Sequence, residues 1–71
     1  MFLNGLHEAQ LVQLRLLDIH GTYYYDITFR HTGETQLRRA RIGKEDIYPN
    51  PEPGELVRVS YVMNVVTGVH K

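Results

Sequence analysis

Pro51-Glu52-Pro53-Gly54-Glu55, running directly into Leu56-Val57-Arg58-Val59-Ser60-Tyr61-Val62-Met63, is the stretch that decides the fold. Proline fixes φ near −65° and Gly54 is free to take φ > 0, so the chain reverses there. Behind the turn the apolar residues recur at every second position, which is the period of a strand with one buried face. Val57, Val59, Tyr61 and Met63 are expected on that face, with Arg58 and Ser60 on the other. A turn that launches a half-buried strand late in a short chain is what a small antiparallel barrel needs to close.

Working outward, Tyr23 to Arg30 is the clearest strand, rich in β-branched and aromatic residues. Tyr23, Tyr25, Ile27 and Phe29 share one face, and Tyr24, Asp26, Thr28 and Arg30 the other. His20-Gly21-Thr22 before it and Thr32-Gly33-Glu34 after it read as hairpin turns. A strand over residues 10–19 precedes the first turn. The shift of apolar parity after Leu16, to Leu17 and Ile19, suggests a bulge there. Residues 4–17 also tolerate a helix capped by Asn4, so their beginning is open between helix and strand, and residues 1–9 are poorly specified.

A third strand is expected over residues 36–42, with Ala40 and Ile42 on one face and Leu37, Arg39 and Arg41 on the other. Residues 43–54 form a connector in which Asp46-Ile47-Tyr48 makes a helical turn or a bridge plugging one end. Asn64 breaks the last section and leaves a final strand over residues 65–69. The expected fold is all-β: one small five-stranded antiparallel barrel over residues 1–71, of the oligonucleotide-binding (OB) or the SH3-like kind.

A chain of 71 residues buries only about 60% of its unfolded surface. Having no Cys, it lacks disulfides and cysteine-based zinc sites to compensate. No apolar run exceeds three residues, too few to cross a bilayer, and the amino terminus lacks the basic and apolar regions of a signal peptide. The expectation is a cytoplasmic protein with no membrane partner.

Catalysis finds little support. Ser60 is the only serine and has no glycine-flanked elbow, and no glycine-rich phosphate loop occurs. His7, His20, His31 and His70 have no spacing of two to four residues between any pair, so no local metal site is expected. His20 and His31 are read as exposed turn residues. The chain is expected to be a non-enzymatic binding module without cofactor or metal.

Net charge is zero but unevenly spread. Residues 30–44 hold Arg30, Arg38, Arg39, Arg41 and Lys44 against Glu34, five minus one or +4. Residues 45–55 hold Glu45, Asp46, Glu52 and Glu55, or −4. With Tyr24 on the same sheet surface, the cations form a basic and aromatic face of the type that holds single-stranded RNA or DNA by stacking and phosphate pairing. Its residues are Tyr24, Arg30, Arg38, Arg39, Arg41 and Lys44. The alternative is a protein-interaction module or homo-oligomer subunit, in which the basic strand meets the acidic connector of a partner or a second copy.

Overall fold

The structure, a computed structural model, describes residues 3–71; whatever was expected of Met1 and Phe2 lies outside them. Five strands form one antiparallel sheet: β1 (Gly5–Ile19), β2 (Thr22–His31), β3 (Arg38–Gly43), β4 (Leu56–Val62) and β5 (Val65–His70). Their order is β3-β2-β1-β4-β5. The first three strands are a meander, and β4 returns by the long connector to lie beside β1, which is a Greek key. The sheet is not closed. Where β3 and β5 would have to meet, the described residues supply a single parallel bridge, Ile47 to Val69.

The strand alternative for the beginning of the chain holds, because β1 serves two neighbours. Its first half pairs with β4, Gly5 opposite Tyr61 through Gln10 opposite Leu56. Its second half pairs with β2, Ala9 opposite His31 through Ile19 opposite Thr22. A 15-residue strand can do this only if it bends. The bend is a bulge at Val12, the residue skipped between the pairs Leu11–Phe29 and Gln13–Thr28. The bulge therefore lies four residues before the position expected from Leu16 and Leu17. It turns Leu14 and Leu16 to the face that Ala9 and Leu11 occupy, whereas Leu17 and Ile19 go to the other.

The core consists of Ala9 and Leu11 from β1, Ile27 and Phe29 from β2, Ile42 from β3, Val57, Val59 and Tyr61 from β4, Val69 from β5, and Ile47. Val57, Val59 and Tyr61 point inward as their spacing requires. Met63 does not follow them. It sits in the β4–β5 turn at φ 49°, 63% exposed, followed by Asn64 at φ 70°. Two successive positive φ values match the twist of a tight hairpin, and Asn tolerates them better than Met. The turn is clamped to the chain's beginning: the Met63 amide donates to Asn4 Oδ1 at 2.8 Å and the Asn64 amide to the Leu3 carbonyl at 2.9 Å.

The connector opens with a 3-10 turn, Lys44–Asp46, two residues before the place expected for a helical turn, and Ile47 then enters the core. Its far end is the turn before β4, where Gly54 takes φ 90° and its amide donates to the Leu11 carbonyl at 2.7 Å. Glu55 fixes this end. Lys71 Nζ contacts its Oε2 at 2.5 Å, while the Glu52 amide (2.7 Å) and the Tyr48 hydroxyl (2.8 Å) donate to its Oε1. Led by Lys71, these donors hold the Glu55 carboxyl at about 2 against an ordinary 4.5. A carboxyl depressed on folding stabilises the fold above its unfolded value and loses that contribution as pH falls. Thermal melts of Glu55→Gln are therefore expected to show a shallower loss of stability between pH 4.5 and 2 than the parent. Asp26 and Glu34, also depressed by their arginine partners, contribute to the slope in the same direction.

Among the described residues, no helix is long and apolar enough to cross a membrane.

Candidate functional site

Cross-strand register assembles the face that carries the arginines. Opposed residues of an antiparallel sheet share a face, so the surface away from the core is built in rows running across β1, β2 and β3. Gln10 lies opposite Arg30. The next row is Gln13, Thr28 and Arg39, and the one after it Arg15, Asp26 and Arg41. The last is Leu17, Tyr24 and Gly43. Tyr24, Arg30, Arg39 and Arg41 thus share one surface, as their alternation predicts. Arg15 and Gln13 join them from β1, which charge counting along residues 30–44 did not reach.

These four rows hold four arginines (15, 30, 39 and 41) against one carboxylate, Asp26, a formal charge of +3, and Glu8, on the same face of β1, lies just beyond them opposite Arg58. Arg41 is tied to that carboxylate through both oxygens, its Nε donating to Oδ1 at 2.7 Å and its Nη2 to Oδ2 at 3.1 Å. The hydrogen bond from Arg41 lowers the Asp26 pKa, with a further contribution from Arg15 opposite. Arg15, Arg30 and Arg39 are exposed and have no ion-pair partner among the described residues. Arg30 makes a long hydrogen bond of 3.4 Å to the Gln10 side chain.

Two shallow depressions adjoin on this surface. One is lined by Gln13, Arg15, Asp26, Thr28 and Arg39, and the other takes in Asp26, Thr28, Arg39 and Arg41. Tyr24 lies at the end of the face, half-buried and opposite a residue with no side chain. A Cβ on Gly43 would come within 2.7 Å of Glu45 Oε1 and 3.1 Å of Asp46 Oδ2. Carboxylates therefore lie near the tyrosine end, and two of the three unpaired cations, Arg30 and Arg39, lie towards the opposite one.

Two of the expected residues are elsewhere. Arg38 has the parity of Ala40 and Ile42 and lies opposite Phe29, on the core side. There it binds Glu34 through Nε at 3.0 Å and Nη2 at 3.1 Å. Lys44, in the 3-10 turn, places its ammonium 5.5 Å from the centroid of Tyr23, whose parity is opposite to that of Tyr24. Within the chain and among the described residues, Arg41 pairs with Asp26 and Arg38 with Glu34.

A second polar group lies at one end of the core. His31, expected to be an exposed turn residue, is 8% exposed. Its parity continues Tyr23, Tyr25, Ile27 and Phe29 inward, a signal available in the alternation. Its Nδ1 lies 3.0 Å from the Glu8 carbonyl, which can only accept. In the neutral ring Nδ1 therefore carries the proton, and Nε2 accepts from the buried Tyr61 hydroxyl at 2.6 Å. His7 packs edge-on to both rings, with centroids 5.8 Å from His31 and 5.5 Å from Tyr61. Because no buried side-chain polar atom among the described residues lacks a partner, this group reads as satisfied structure. Tyr61→Phe leaves the His31 nitrogen without its donor, and urea unfolding is expected to show a loss of about 1–3 kcal/mol.

Among the described residues no three His, Asp or Glu side chains converge as a metal site requires. Comparison with protein families, with curated proteins and with solved structures finds no match for this chain.

Proposed function

We propose that this chain is a non-catalytic module that binds single-stranded RNA or DNA across the exposed face of β1, β2 and β3. The observation that carries the proposal is the row structure of that face: three unpaired arginines from three strands, two of which, Arg15 and Arg39, line one shallow trough, with Arg30 and Tyr24 in rows to either side of it. A cationic groove with an aromatic platform suits a flexible strand, whose phosphates pair with Arg while a base stacks on the ring. The strand order supports an OB-like arrangement over an SH3-like one. The OB fold is a partly open Greek-key barrel that uses its second and third strands for such ligands. A single tyrosine contributes roughly 1–3 kcal/mol of stacking, so the affinity is modest.

The test is fluorescence anisotropy of labelled oligo-pyrimidine RNA and DNA over a series of salt concentrations. Three phosphate contacts give log affinity falling against log salt with a slope of about −2.1, at about −0.7 per contact. Absence of binding at the lowest salt overturns the reading. Protein contact then takes its place, centred on the apolar end formed by Leu6, Val62, Met63 and Val65, each more than half exposed.

A further inference from the structure

We propose that Asp26 is a built-in competitor for the phosphate site: its carboxylate holds Arg41 in the free protein, and a bound strand must displace it. The inference rests on the nucleic-acid reading above and concerns how tightly that face can bind.

Position makes the case first. Asp26 is the one carboxylate in the rows of the trough, and both depressions include it. Arg15 lies opposite it on β1 and Arg41 opposite it on β3, so it sits between two of the four cations. Geometry makes it second. The Nε and Nη2 groups that Arg41 gives to Asp26 are the parallel pair a guanidinium offers a phosphate. A phosphate arriving at this row therefore meets an occupied fork and a negative charge.

Exposure makes the exchange feasible. The Arg41 and Asp26 side chains are 54% and 39% exposed, and exposed ion pairs shift an equilibrium by about fivefold at most. The pair is weak enough to open for a ligand held also by Arg15, Arg30 and Arg39. It is strong enough to keep Arg41 from counting as a free contact beforehand.

The same anisotropy titration tests this with three proteins: the parent, Asp26→Asn, and Asp26→Asn combined with Arg41→Gln. Asparagine keeps the shape and removes the charge. Asp26→Asn is expected to bind up to about fivefold more tightly at low salt, because the strand no longer has to displace a carboxylate to reach Arg41. The added Arg41→Gln change is expected to abolish the gain. Binding by Asp26→Asn where the parent shows none supports the proposal as well. Equal affinity for the parent and Asp26→Asn overturns it while leaving the nucleic-acid reading in place. No binding by any of the three overturns both. Thermal melts of the singly substituted protein within a few degrees of the parent show that the fold is unchanged.

Discussion

Phe29→Ala is expected to remove a large part of the stability of this fold. Phe29 is fully buried at the middle of the sheet, opposite Leu11 of β1 on one side and Arg38 of β3 on the other. Its ring also meets His31 edge-on, with centroids 5.3 Å apart. Truncating a buried phenylalanine costs about 3–5 kcal/mol, through the lost transfer energy and the cavity left behind. A chain of 71 residues has roughly 4–11 kcal/mol in all, at about 0.05–0.15 kcal/mol per residue. The substitution thus takes a quarter or more of the total, and the melting temperature should fall by about 12–40 °C. Circular dichroism melts measure this directly. Leu56→Ala is the control: Leu56 is 73% exposed, and its removal should move the melt by only a degree or two. A small shift for Phe29→Ala would mean that Phe29 is not the centre of the core.

Much of this arrangement follows from period-2 alternation, which needs no partner strand to be read. The inward set from Tyr23 to Phe29, the outward set from Tyr24 to Arg30, and the buried series Val57, Val59 and Tyr61 all follow from it. The turn at residues 51–54 is legible because proline and glycine restrict the backbone locally. The position of the bulge is not. β1 has apolar residues at both parities, so the extra residue has several acceptable places until pairing with β2 selects Val12. The choice between helix and strand at the beginning of the chain is also made at a distance, by the ladder with β4.

The candidate site divides in the same way. That Arg39 and Arg41 share a face is a property of one strand, and so is the exclusion of Arg38 from it. The contribution of Arg15 and Gln13 depends on the β1–β2 register, which the bulge shifts by one residue. The Asp26–Arg41 pair depends on the β2–β3 register, set across a six-residue gap between strands that has no alternation of its own. His7, His31 and Tyr61 come from three strands and meet only because β1 pairs on both its edges. Local chemistry is readable from local spacing, whereas chemistry assembled across strands requires the registers.

Arg15→Glu combined with Arg39→Glu is expected to abolish binding to single-stranded nucleic acid. The two residues line the same depression from opposite sides, Arg15 from β1 and Arg39 from β3, with Asp26 and Thr28 of β2 between them. Neither has an ion-pair partner among the described residues, so both are available to phosphate. Arg41 compensates poorly, because a strand no longer held by Arg15 and Arg39 must still displace Asp26 from its fork. Hydrogen bonds to charged groups are worth about 1.5–3 kcal/mol each, so losing two lowers affinity by about 100-fold or more. Two fewer phosphate contacts also flatten the salt slope by about 1.4. Reversing two charges lowers the net charge of the whole molecule as well, and that alone weakens attraction to a polyanion. Arg58→Glu separates the two causes. Arg58 is exposed on β4, opposite Glu8 and His70, outside the rows of the trough. If overall charge governs binding, Arg58→Glu costs about half as much, on a logarithmic scale, as the double substitution. If the trough governs it, Arg58→Glu changes affinity by no more than a few-fold and leaves the salt slope as it was.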